Sequence, residues 1–238
     1  MLYPVTLPLS SPTPLATLHH TSSEIWELEM HSGFDNRLTT TFILNVLNVA
    51  LDIVEKDWRA STKQAGAPGA FIISGKHDQT KFFSNGFDFD TVAGDTSFLP
   101  GVFNPFLARY LTFPIPTVAA MNGHAFAAGF LLALASDYRV MTSGRGWGCM
   151  NEIQFGAPLP ASFAAVLDYK LSSPNLIRSA ALEGTRFTAE DLHALGIVDV
   201  IAEDIIPAAR SLAKLRAPLA KTGVWGLMKV GTSTPFHP

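Results

Sequence analysis

Apolar positions recur at two spacings along the chain. Over residues 39–58 they fall at Phe42, Ile43, Val46, Leu47, Ala50, Leu51 and Val54, the spacing that lines one face of a helix, with Thr39 or Thr40 as its N-cap. Residues 24–31 alternate apolar and polar side chains, as a half-buried strand does, and 32–36 turn the chain. Ala70–Ser74 and Thr117–Met121 are unbroken apolar runs, the pattern of strands covered on both faces. Residues 81–83 continue the sheet, and Tyr138–Thr142 and 197–201 are further strands. Helices are predicted over 102–111, 125–136, 160–168, 174–182 and 207–216, with Thr188, Glu190 and Asp191 opening one more that Gly196 ends. Residues 63–69, 85–101 and 143–148 read as loops.

Strands and helices therefore interleave, which predicts an α/β protein with covered sheets. Residues 1–21 read as a Pro/Ser/Thr-rich leader, partly extended. Residues 22–201 read as the core, and 202–238 as a C-terminal helical segment packing outside it.

Composition narrows the classes. The 238 residues are 47% hydrophobic and only 16% charged, enough for one large domain, and a charge-poor surface of this kind is expected to be partly hidden in an oligomer. Lys and Arg number 17 against 20 Asp and Glu, with no basic block, so nucleic acid is not an expected partner. Cys149 is the only cysteine, which excludes an intramolecular disulfide or a thiolate cluster, and no Asn-x-Ser/Thr acceptor occurs; an intracellular compartment fits. The least charged stretch, 110–136, is broken by Pro114, Pro116, Asn122, Gly123 and His124. Its remaining helix would be about 18 Å long against a bilayer core of roughly 30 Å, so no membrane span is expected. Neither a signal peptide nor a C-terminal targeting tripeptide is visible.

No G-x-S-x-G, G-x-G-x-x-G or H-E-x-x-H motif is present, and no metal site is expected. Three segments carry chemistry together. Residues 81–88 (KFFSNGFD) place a glycine and a backbone N–H after an apolar strand. Residues 116–129 (PTVAAMNGHAFAAG) turn a buried strand into a helix whose first N–H groups can hold an anionic oxygen. Residues 151–156 (NEIQFG) set one carboxylate in apolar surroundings. Two N–H donors and a desolvated carboxylate suit removal of a weakly acidic α-proton from a thioester, through an enolate. Taken singly, each segment also fits an ordinary turn, a close helix contact or a surface charge.

In this order and spacing the segments resemble the crotonase (enoyl-CoA hydratase/isomerase) superfamily over residues 24–201, most closely the Δ3,Δ2-enoyl-CoA isomerases of plant and fungal peroxisomes. FFSNGFD, PIPTVAAMNGHAFAAG and MNEIQFGAPLP are its most specific parts. The resemblance implies a spiral of ββα repeats, a C-terminal helical region that builds a homotrimer or hexamer, and a peroxisomal address. It implies an acyl-CoA substrate with no other cofactor, backbone donors at Phe87 and Ala128, and Glu152 as the catalytic base. Ser84, Asn85, Gly86, Asp88, Ala127, Gly129 and Leu131 would line or shape the substrate passage, Asp88 alternatively only fixing its loop. The family's hydratases carry a second glutamate where this chain has Leu131, which favours proton shuttling over hydration. Hydration, a specialised acyl-CoA step and a non-catalytic acyl-CoA binder stay open. Phe126, Phe130, Leu131 and Phe155 are candidates to receive the acyl chain, and Lys81, Arg109 and Lys229 to meet CoA phosphates. His124 and Cys149 read as packed side chains.

Overall fold

The computed structural model describes residues 2–61, 66–79, 81–171 and 173–233; positions 63–65 of the expected loop and the last five residues lie outside that description. Seven strands form the main sheet: β1 (Val5–Leu7), β2 (Ala16–Ser22), β3 (Ile25–Met30), β4 (Ala70–Ser74), β6 (Thr117–Met121), β8 (Tyr138–Thr142) and β10 (Val200–Ala202), side by side in that order. The first three pair antiparallel and the rest parallel. A small parallel sheet stands apart: β5 (Phe82–Ser84), β7 (His124–Phe126) and β9 (Gly148–Cys149). Each repeat thus sends one strand to the large sheet, one to the small sheet and then enters a helix or helical turn: β4–β5, β6–β7 and β8–β9.

The unbroken apolar strands have a direct cause. Successive side chains leave a strand on opposite faces, and both faces of the large sheet are covered. Phe71, Ile73, Ala119, Met121 and Met141 enter the main core. Ala70, Ile72, Val118, Ala120 and Val140 pack in a second cluster with Ile205, Ala209, Leu212 and Ala213 of the Ile205–Arg216 helix. Parallel sheets need cover on both sides, and this helix supplies it on one.

The domain reading is corrected at both ends. Residues 1–21 are not a separate leader, because β1 and most of β2 belong to the main sheet and Leu7, Ala16 and Leu18 are fully buried. The prolines misled because Pro4 and Pro8 flank β1 rather than interrupt it. A cut after residue 201 would divide β10, and the segment beyond it does not pack outside the core, since the Ile205–Arg216 helix covers the sheet. The helix expected from 125 begins at Ala128, after β7 takes His124–Phe126. The 85–101 loop contains the helical turn Phe89–Val92 and runs into a π-helix at Leu99–Phe103. Thr39 does cap its helix, accepting from Phe42 N–H at 3.1 Å, and Thr188 forms a capping box with Asp191. Among the described residues no helix is long and apolar enough to cross a membrane.

Candidate active site

The small sheet ends where the three chemistry-bearing segments meet. Beyond β5, Gly86 adopts φ +80, and a Cβ there would lie 2.9 Å from the Phe126 carbonyl oxygen and 3.1 Å from the Ala128 nitrogen. The 85–88 and 126–128 turns are therefore in contact, and only a glycine lets them close.

Two backbone N–H groups are left over at this contact. Leu38 N–H donates to the Gly86 carbonyl at 2.8 Å. A trans peptide points its C=O and N–H in opposite directions, so Phe87 N–H is turned away from Leu38. The Ala127 carbonyl accepts Leu131 N–H at 3.0 Å, so Ala128 N–H leaves the N-terminal end of the Ala128–Ala135 helix. Neither N–H has a hydrogen-bond partner among the described residues.

The carboxylate sits in the third turn. After β9 the chain makes a 3₁₀ turn, Glu152–Phe155, closed by Gly156 at φ +75. Glu152 is 7% exposed, and neither carboxylate oxygen has a partner among the described residues. Burial pushes its carboxyl up from the ordinary 4.5 to about 7. The Asn151 side-chain oxygen beside it is likewise buried without a partner.

A cavity of about 790 Å³ joins these groups. Asn85, Phe87, Asp88, Ala127, Asn151 and Glu152 line it at the reacting end, with Phe89, Val92, Phe98, Leu99, Phe155 and Phe163 along its apolar wall. The Phe87 ring lies edge-on to Phe98 and Phe103, at 4.9 and 4.7 Å, which fixes the donor residue into the core.

Ala127 carries an unusual backbone, φ +50 and ψ −125. Such a conformation costs an L-residue of order 1–3 kcal/mol, of which glycine's extra chain entropy offsets about 0.5–1. Ala127→Gly is expected to stabilise the fold by about 1 kcal/mol and raise the melting temperature by roughly 2–4 °C, read by calorimetry. An unchanged or lower melting temperature would contradict that strain.

A family profile described as enoyl-CoA hydratase/isomerase matches residues 46–221. The chain belongs to the enoyl-CoA hydratase/isomerase family. Among its relatives, enoyl-CoA delta isomerase 3 of Arabidopsis thaliana is 38% identical over 161 residues, covering 65% of either chain. The peroxisomal enoyl-CoA delta isomerase 2 of the same plant is 39% identical over 60% of this chain and 62% of its own. The chain spans less than two thirds of the length of these curated relatives. An enoyl-CoA hydratase from Mycobacterium marinum superposes with a TM-score of 0.78 at 28% identity, over 92% of this chain and 91% of its own. The crotonase fold expected from sequence is thus the observed one.

Within this family member the expected site residues divide into two groups. Glu152, Phe87, Asn85, Asp88 and Ala127 line the cavity, while Gly86 and Ala128 meet in the turn contact and do not line it. Ser84, Gly129 and Leu131 do not line it. Ser84 is buried and donates to the Asn36 carbonyl at 2.8 Å. A Cβ on Gly129 would stand 2.3 Å from the Ser84 carbonyl oxygen, so that glycine serves the packing of helix on strand. Leu131 is fully buried in the main core, as is Phe130, and Phe126 packs edge-on to Phe82 at 6.4 Å. Of the four apolar candidates for the acyl chain only Phe155 reaches the cavity.

The expected phosphate-binding cations also divide. Arg109 is engaged by Asp52 at 2.7 Å and Glu55 at 3.5 Å, and Lys229 by the buried Asp137 at 3.1 Å. Lys81 is exposed, its amine 5.2 Å from the centre of the Phe34 ring. His124 stacks on Trp147 and Phe126, and burial with Lys81 and Arg186 nearby lowers its pKa, which favours the neutral ring. Cys149 is buried, and its thiol is pushed up to about 11. Arg37, Asn151, Phe89, Phe98 and Phe163 line the cavity without having been expected there from the motifs. Only Asn151 had a signal, its place beside Glu152.

Proposed function

We propose that this protein is a Δ3,Δ2-enoyl-CoA isomerase in which Glu152 moves the proton. The carrying observation is a single buried, unpartnered carboxylate facing a cavity beside two unused backbone N–H groups. Glu152 removes a proton from C2 of a 3-enoyl thioester, the electrons move onto the carbonyl oxygen, and Phe87 and Ala128 N–H hold the enolate oxygen. The same carboxyl then delivers the proton to C4, leaving the conjugated 2-enoyl thioester. The chain's own groups carry every step, and CoA enters as part of the substrate.

Two of the other cavity acids, Asp90 and Asp95, are poorly suited to that task. Both are exposed, and Asp95 is engaged by Ser97 N–H and hydroxyl at 2.9 and 2.6 Å. Leu131 in the core leaves the helix without a second acid to hold a water, which favours isomerisation over hydration. The Arabidopsis relatives are named enoyl-CoA delta isomerases, two of them peroxisomal, and we propose that organelle for this chain as well. Exposed Leu215, Leu219, Leu227 and Met228 in the C-terminal helices supply an apolar face for a homotrimer.

Incubation with a 3-enoyl-CoA is expected to yield the 2-enoyl-CoA with unchanged mass, followed by absorbance of the conjugated thioester and by mass spectrometry. A product heavier by one water would make the protein a hydratase. Binding of CoA ligands without any conversion would make it a non-catalytic member.

A further inference from the structure

The geometry points to Arg37 as the residue that positions the Phe87 donor, an inference that rests on the enolate reading above. Arg37 Nη1 donates to the Phe87 carbonyl at 2.9 Å, while the next residue, Leu38, donates its N–H to the Gly86 carbonyl at 2.8 Å. Two consecutive residues thus grip the two peptides that flank the Phe87 Cα. With both planes held, neither backbone dihedral of Phe87 is free to turn its N–H out of the cavity.

Asp35 completes the brace. Its carboxylate accepts Arg37 Nε at 2.8 Å and Asn85 Nδ2 at 2.8 Å, and its carbonyl accepts Asn85 N–H at 2.9 Å. Residues 35–38 therefore run as a splint along 85–87. Arg37 also lines the cavity, but the Asp35 carboxylate and the Phe87 carbonyl engage two of its nitrogens. An ammonium lacks the planar fork that spans these two partners, so lysine is not an equivalent.

A donor is useful only when it meets the oxygen as charge develops, so the brace acts on the transition state more than on substrate binding. Arg37→Ala is expected to lower kcat by about 10–100-fold with KM changed less than about threefold. Added guanidinium should restore part of that loss, and Arg37→Lys should fall between the wild type and alanine. A second readout does not depend on activity: amide hydrogen exchange over residues 85–88 should quicken in Arg37→Ala while the melting temperature holds. Raised KM with unchanged kcat would overturn the inference, assigning Arg37 to substrate contact instead. Unchanged kcat and unchanged exchange would overturn it outright. If the wild-type protein isomerises nothing, the enolate reading fails, and the exchange measurement still decides whether Arg37 holds the Phe87 peptide.

Discussion

Glu152→Gln is expected to remove about 10²–10⁴-fold of turnover while leaving the protein at least as stable as the wild type. Glutamine keeps the shape but neither takes nor returns a proton. The stability half follows from burial. The carboxyl is raised from 4.5 to about 7. Below pH 4.5 both folded and unfolded chains hold the proton, and the fold carries no penalty. As pH climbs toward 7 the unfolded chain releases the proton while the folded chain keeps it, so stability falls; above 7 the loss is constant. At 1.36 kcal/mol per unit the difference is about 3 kcal/mol. Melting curves at pH 5 and pH 8 should converge for the glutamine variant relative to wild type. In turnover, the wild type should lose about tenfold per pH unit below 7, since only the ionised form is a base. Near-normal activity in Glu152→Gln, or a flat wild-type profile between pH 5 and 8, would sink the assignment of Glu152 as base.

What the sequence revealed follows the range of the interactions concerned. Ala70–Ser74 and Thr117–Met121 were legible because burial on both faces leaves an unbroken apolar run, a local signature. Glu152 was not legible alone, since a lone acid in sequence also fits a surface charge; the resemblance of the three segments singled it out, and its burial at the cavity is a property of the fold. Leu131 was misjudged as lining: its position on the chain places it near the turn, but only three-dimensional packing decides which face of a wholly apolar helix looks inward, and every residue of Ala128–Ala135 is buried. Gly129 carried the right residue type for a different reason, since a Cβ there would stand 2.3 Å from the Ser84 carbonyl oxygen. The 1–21 segment was misread because its strand β2 gains its order from β3, a partner later in the chain, while its prolines advertise a loop. Arg37 gave no sign at all, since its meaning lies in a carbonyl fifty positions away.

Arg139→Leu is expected to be the most damaging single change to the fold, costing about 3–5 kcal/mol and lowering the melting temperature by roughly 6–20 °C. Arg139 reads in the sequence as one more residue of β8, yet its guanidinium is buried and holds five backbone carbonyls. Nε donates to the Ile197 carbonyl; Nη1 reaches those of Ser136 at 2.7 Å, Leu134 at 3.2 Å and Ala133 at 3.4 Å; Nη2 reaches that of Asp137 at 3.2 Å. Four of those carbonyls, all but that of Ile197, belong to the C-terminal end of the Ala128–Ala135 helix and the turn after it, where a cation also meets the negative end of the helix dipole; those of Ala133 and Ser136 accept Ser136 N–H and Lys170 Nζ as well. Leucine fills part of the volume and leaves buried acceptors without donors, each at about 1–3 kcal/mol. Lysine keeps the charge but not the planar fork, so Arg139→Lys should lose an intermediate amount. On the proposed mechanism the helix also links this site to catalysis: its far end begins at Ala128, the proposed second donor, and a helix released at one end is less firmly aimed at the other. Turnover in Arg139→Lys, assayed well below its melting temperature, should therefore fall through kcat more than KM. A leucine variant melting within a few degrees of the wild type would show that the carbonyl cluster is satisfied some other way, and would remove Arg139 from the account of how the helix is held.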